Sequence, residues 1–401
     1  MTRRAALWVA FALVHLLVCV LGFVMPNQPM GDVYLVYEPW SRAALAGDGI
    51  VGVTEDWVYP QLALVPLVLA HGFAWIGGYT VGWAVFVTAV DAVAFAVLVG
   101  DARSRGRARA AWFWLAAILA LGPVGLYRLD AVTVALAVLA CVWLRGRPGL
   151  AGILLAVATW IKVWPAALIA AAGIALRRRS AVIGAGVIVS ASTLLAVAVA
   201  GGAAHAFGFI GDQTSRGLQV EAPVSTFYLW GSMLGLPGFF VYYSTEILTF
   251  QVTGRDIDAV IAVMTPLLAA GVGAVAVLAA VKAARGATVM RLLPVTAMAL
   301  VLVFIALNKV GSPQYLCWLV PPVVLGLLYD RREWARPALG VLVLCALTQI
   351  VYPVAYGEVL AAQPFGVAVL TIRNILLVAL GVWMVVRLAR VPVRPPVPVP
   401  A

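Results

Sequence analysis

Apolar residues along this chain come in long unbroken runs, separated by short arginine clusters or by loops rich in acids and aromatics. A helix needs about 20 apolar residues to cross a bilayer, fewer where one end rests in protein. Twelve runs fit, at 5–25, 79–100, 111–127, 130–144, 149–161, 164–176, 181–200, 259–281, 292–307, 314–329, 337–353 and 365–387. Two other apolar stretches read differently. "YPQLALVPLVLAHGFAW" at 59–75 contains Pro60, Pro66 and His71, and "TFYLWGSMLGLPGFFVYYSTEILTF" at 226–250 is aromatic and broken by glycine. Both are expected as half-inserted or surface helices at the membrane interface.

The basic residues test this map. With twelve spans, and with 59–75 not counted as one, every arginine cluster from Arg3/Arg4 to Arg387/Arg390/Arg394 falls on the N-terminal side. That side then holds 20 of the 27 basic residues, and the other side holds 12 of the 16 acids. By the positive-inside rule the arginine side is the cytoplasm. The pattern predicts an all-α polytopic membrane protein, a single domain over 1–390 in the plasma membrane with both termini cytoplasmic. Its long outer loops are 26–78 and 201–258, and a Pro-rich cytoplasmic tail, "VPVRPPVPVPA", covers 391–401.

Composition narrows the class. The chain is 64% hydrophobic and 11% charged, with a mean hydropathy of +1.05, whereas a soluble domain is about a quarter charged. The first run is long enough to span and no small-residue cleavage site follows, so it is expected as a retained helix. The net charge of +11 is accounted for by loop arginines and gives no reason to expect nucleic acid. Cys19, Cys141, Cys317 and Cys345 lie in apolar runs without paired spacing, and His15, His71 and His205 are scattered. No disulfide framework or cofactor is expected, and no ligand spacing supports a divalent metal, which stays open.

Charges on the acidic side point to chemistry. Arg42, Arg128, Lys162, Arg216, Arg255 and Lys309 stand there against the general bias, several at helix ends, in "YRLDAVTVAL", "TWIKVWPAALI" and "NKVGSPQYLCWLVPP". Arg373 in "VLTIRNILLVAL" and Asp91 in "VTAVDAVAF" lie inside runs, where a charge needs a partner or a ligand. Taken singly, any such Arg or Lys reads more readily as snorkelling to headgroups. Together, a carboxylate and several cations suit transfer of a group from a phosphate: the cations stabilise the departing phosphate and the acid takes a proton from an incoming hydroxyl.

Five stretches carry a family resemblance: "GDVYLVYEPWSRAALAGDG", "EDWVYPQLALVPLVL", "WIKVWPAAL", "RGLQVE" and "SPQYLCWLVPP", in order over about residues 30–320. They resemble the polytopic glycosyltransferases of the C superfold, and more specifically glycosyltransferase family 87, the actinobacterial polyprenyl-phosphate-mannose-dependent mannosyltransferases. The resemblance implies a GT-C-like bundle of about 12 transmembrane helices, with a catalytic first outer loop and re-entrant or juxtamembrane helices. It implies a polyprenyl-phosphate sugar as donor, delivered from within the bilayer, a lipid or glycan acceptor on the outer face, and direct inverting displacement. By position the general base maps onto Asp32; Glu38, Glu55 and Asp56 follow in the same loop and stay open for that role, and a helix N-cap is the plain alternative for Asp32. Lys162, Lys309, Arg216, Arg373 and Arg128 are candidates for the donor phosphate. Tyr34, Tyr37, Glu55, Asp56, Tyr59, Asp130, Glu221, Gln314 and Tyr315 are candidates for the sugar or acceptor, with Trp57 available for stacking. A 12-span transporter or flippase competes with this view, as does a non-catalytic partner subunit. The one-sided placement of the polar residues and the absence of a sequence repeat disfavour the transporter.

Overall fold

The structure, a computed structural model, describes residues 2–245 and 247–393, apart from the side chains of 212–215; most of the Pro-rich tail, 394–401, lies outside the described residues. Twelve principal helices answer the twelve apolar runs: α1 (Arg3–Val24), α2 (Tyr79–Val99), α3 (Arg105–Leu121), α4 (Asp130–Trp143), α5 (Pro148–Ile161), α6 (Ala166–Ala175), α7 (Arg179–Val199), α8 (Ile257–Ala284), α9 (Val289–Ala306), α10 (Val320–Tyr329), α11 (Ala335–Gln349) and α12 (Pro364–Ala389). Eight apolar helices are long enough to cross a membrane, and the rest of the set are shorter apolar helices. The protein is an all-α polytopic membrane protein.

The short helices position the site. α4 and α5 have 14 residues each. At about 1.5 Å per residue, such a helix covers about 21 Å of a hydrocarbon layer about 30 Å thick. Its end must therefore rest in protein or against a polar cavity, where backbone groups find partners. α4 is buried along almost its whole length, with α2 and α5 on its flanks and α10 against it. α9 and α10 complete the centre of the bundle. Local sequence sets the ends. Pro165 cannot continue α5, so the helix stops at Ile161 and Lys162 leaves in extended backbone. Pro313 opens a 3₁₀ stretch, Pro313–Leu319, that leads into α10.

Contacts between distant loops fall into two sets, one at each end of the bundle. At the arginine-rich end, Arg3 donates to the Ala102 carbonyl, Arg109 to that of Arg331, Lys282 to that of Val391, and Arg387 pairs with Glu333. At the other end, Asn27 Nδ2 donates to the Pro353 carbonyl at 2.7 Å, Asp56 meets His205 at 2.8 Å, and the Gln219 amide donates to the Lys309 carbonyl. The loops 26–78 and 201–258 belong to this second end.

Residues 61–76 form a broken helix, Leu64–Ala70 between two 3₁₀ pieces, folded against α2. The stretch 226–250 is a correction. Its helix ends at Met233, and the rest runs into an antiparallel hairpin, β1 (Phe240–Ser244) with β2 (Thr249–Thr253). Gly235 and Gly238 both take positive φ, which ends the helix. The "FVYYS" and "TFQVT" segments that follow are rich in β-branched and aromatic residues, which suit a pleated surface.

Candidate active site

Asp32 opens a π-helical turn, Val33–Tyr37, that leads into the helix Glu38–Ala46, and its side chain caps no helix amide. Its carboxylate is instead ion-paired with Arg128. Arg128 is buried, whereas the Asp32 side chain is 37% exposed. The other Arg128 amino group donates to Tyr352 Oη at 3.0 Å. Tyr352 sits in a second irregular turn, Ile350–Val354, with extended backbone of its own, and its hydroxyl reaches the Asn27 and Gln28 carbonyls at 3.4 and 3.3 Å. π-Turns recur at functional sites; here one π-turn and one irregular, kinked turn close on one arginine.

Two residues further on, Asp130 builds a second group. Its Oδ2 accepts from Lys162 Nζ at 2.7 Å and its Oδ1 from Trp318 Nε1 at 2.6 Å. The Asp130 side chain is fully buried. Trp318 stacks on Tyr315 at 4.0 Å and on Trp164 at 5.7 Å, and Trp164 Nε1 donates to Thr133 Oγ1. Lys162 lies over the Tyr59 ring at 5.2 Å. Burial alone would draw the Lys162 ammonium below its ordinary range, but the adjacent Asp130 carboxylate outweighs it and holds the lysine charged. The same burial raises the Tyr59 phenol. Between the two groups, the Leu129 amide donates to Tyr37 Oη at 3.2 Å, so Tyr37 fixes the "YRLD" segment rather than facing a ligand.

A third group joins the 201–258 loop to α12. Arg373 Nη2 donates to Glu221 Oε2 at 3.1 Å and to the Glu221 carbonyl at 3.2 Å. Both side chains are 2% exposed. The charge inside the last span thus has its partner. Burial pushes the Glu221 carboxyl up to about 7, against the pull of Arg373 and Arg128. The Lys309–Ser312 loop lies on this segment: a Cβ at Gly311 would come within 2.2 Å of the Ala222 nitrogen. Only a residue without a side chain permits this approach. Burial lowers the Lys309 ammonium.

The structure thus brings Asp32, Arg128, Asp130, Lys162, Tyr59, Gln314, Tyr315, Arg216, Glu221, Arg373 and Lys309 to one end of the bundle. Arg216 is close enough for its charge to act on the Tyr315 phenol. Glu55 and Asp56 are exposed in the 26–78 loop, and Asp56 is engaged with His205. Tyr34 is half-buried on the π-turn. Trp57 is buried edge-on to Trp40 and Tyr59. Asp91 lies apart from the site, paired with His15 between α1 and α2 at 3.2 Å. Arg128 Nε, Arg216 Nε, Arg373 Nε and Gln314 Oε1 are buried without a hydrogen-bond partner among the described residues. Such atoms cost free energy unless something binds them, and three of the four are cationic donors. Tyr352 and Trp318 are the members sequence reasoning missed. The "VYP" at 351–353 repeats the "VYP" at 58–60, which was the available signal.

Among the described residues no group of three or more His, Cys, Asp or Glu could hold a metal ion. No curated protein and no solved structure matches the chain. A family model, Glycosyltransferase family 87, matches residues 57–307, more than half of the chain. That range takes in Arg128, Asp130, Lys162, Arg216 and Glu221, and leaves Asp32 and Tyr352 outside it. The chain belongs to glycosyltransferase family 87 and is a membrane glycosyltransferase.

Proposed function

We propose that the protein transfers a hexose, mannose by its resemblance, from a polyprenyl-phosphate sugar to a lipid or glycan acceptor at the outer face of the plasma membrane. The observation that carries this is the pairing of a half-exposed carboxylate, Asp32, with a buried arginine that retains an unused donor, Arg128 Nε. Of the three acids paired with Arg128, Lys162 and Arg373, Asp130 and Glu221 are enclosed and spent on Lys162 and Arg373, which suits them to positioning. Among these three, Asp32 is the one that an acceptor hydroxyl can reach from solvent.

The chemistry balances on these groups. Asp32 takes the hydroxyl proton, the acceptor oxygen bonds to the anomeric carbon, and the carbon–oxygen bond to the phosphate breaks with its electron pair going to the phosphate. Arg128, Lys162 and Arg216 are the cations placed to stabilise that developing charge. Protonation of Asp32 weakens its hold on Arg128. The guanidinium charge then becomes available as the phosphate departs, which couples proton transfer to leaving-group stabilisation. Arg373, paired with Glu221, is better suited to tying the 201–258 loop to α12. Tyr34, Tyr59 and Tyr315 offer ring faces and hydroxyls to the sugar.

The test is transfer by the purified full chain in proteoliposomes, with polyprenyl-phosphate mannose and its glucose and arabinose counterparts offered separately. Labelled product from the mannose donor, and none from a nucleotide sugar, supports the proposal. Movement of a substrate across the bilayer without sugar transfer contradicts it and favours a transporter.

A further inference from the structure

The arginine-rich end of the same helices holds a cavity of about 280 Å³. Arg145 reaches it from the α4–α5 loop, Arg177 and Arg178 from the α6–α7 loop, and the Thr288–Met290 segment at the start of α9 closes a third side. Leu144, Leu176 and Met290 give it apolar walls. The three arginines are exposed, and among the described residues no ion pair involves them. The Thr288 hydroxyl caps no amide of α9 and is free to donate. The topology rule explains arginines in such loops, but it does not explain a cavity between three of them.

We propose that this cavity binds the phosphate headgroup of an anionic lipid from the leaflet on the arginine side. Planar guanidinium groups bind phosphate oxygens in pairs, and basic pockets between helices take lipid headgroups. The shared chemistry is a phosphate anion, which a lipid or a soluble phosphate supplies. The apolar walls select the lipid, whose glycerol and upper acyl chain have somewhere to lie. The cavity joins α4, α5, α6, α9 and α10, the helices whose far ends carry or adjoin Asp130, Lys162, Pro165, Lys309 and Tyr315.

Native mass spectrometry of the full chain, titrated with phosphatidylglycerol or phosphatidylcholine, tests this. The wild type is expected to prefer phosphatidylglycerol by about tenfold, and millimolar inorganic phosphate is expected not to displace it. The R145Q/R177Q/R178Q variant is expected to lose the preference. R105Q/R332Q/R336Q removes the same charge from elsewhere on this face and is expected to keep it. M290W fills the cavity without changing charge and is expected to weaken binding at least severalfold. Equal loss in both triple variants, no preference in the wild type, displacement by inorganic phosphate, or full binding by M290W would each overturn the proposal.

Discussion

Arg128 and Asp130 stand two residues apart and serve different partners: Arg128 joins Asp32 to Tyr352, while Asp130 joins Lys162 to Trp318. One short turn before α4 therefore organises both halves of the site. The carboxylate of one half is open and that of the other is enclosed.

The enclosed half predicts an asymmetric response. Removing one partner of a buried ion pair costs about 3–5 kcal/mol because the other charge is stranded. Asp130→Asn is expected to lower the thermal stability of the purified protein by that order and to abolish transfer. Asp130→Asn combined with Lys162→Met should recover most of the stability and none of the activity. Recovery of both would show that Lys162 has no role at the phosphate.

Tyr352 is predicted to act on activity more than on folding. Tyr352→Phe removes the hydrogen bond to Arg128 but keeps the ring. A hydrogen bond to a charged group is worth about 1.5–3 kcal/mol of stability, so the melting temperature should fall by about a few degrees, and turnover should fall further, by about tenfold or more, because Arg128 loses its anchor. Unchanged turnover would mean that Arg128 needs no such anchor.

Glu221 gives a pH signature. Its carboxyl, ordinarily at 4.5, is pushed up to about 7 by burial. Between those values the folded protein binds the proton more tightly than the unfolded chain, so this group's contribution makes stability fall as pH rises across that window. Glu221→Gln should flatten that slope in thermal unfolding measured from about pH 5 to about pH 8. An identical slope in the variant would contradict the assignment.

Gly311→Ala tests the loop contact. The added Cβ would lie 2.2 Å from the Ala222 nitrogen, so the Lys309 loop and the Glu221 segment must separate. A misplacement of about 1 Å near reacting groups costs about 10²-fold in rate. The variant is expected to show a loss of that order in kcat, without loss of the hairpin signature in limited proteolysis.

Much of this was legible in the sequence, for physical reasons. A bilayer demands apolar runs of a given length, so all twelve helices could be read from hydropathy. The rule that a charge inside a run needs a partner singled out Asp91 and Arg373. It could not name His15 or Glu221, which lie 76 and 152 residues away, because partner choice depends on how helices pack. Asp130 was a sugar candidate through the resemblance alone; that it is buried and holds Lys162 and Trp318 depends on packing that no local pattern shows. The hairpin at 240–253 was hidden because an aromatic, glycine-broken stretch of that length fits an interfacial helix as well as two strands. Tyr352 was missed because it sits at the end of a span.

The most direct measurement is sugar transfer by Asp32→Asn in proteoliposomes, beside Glu55→Gln and Asp56→Asn. Loss of a general base is worth about 10²–10⁴-fold. Asp32→Asn is predicted to fall by that order while staying folded, with a lowered melting temperature because buried Arg128 loses its partner, while the other two retain most of their activity. Wild-type turnover by Asp32→Asn would contradict the account.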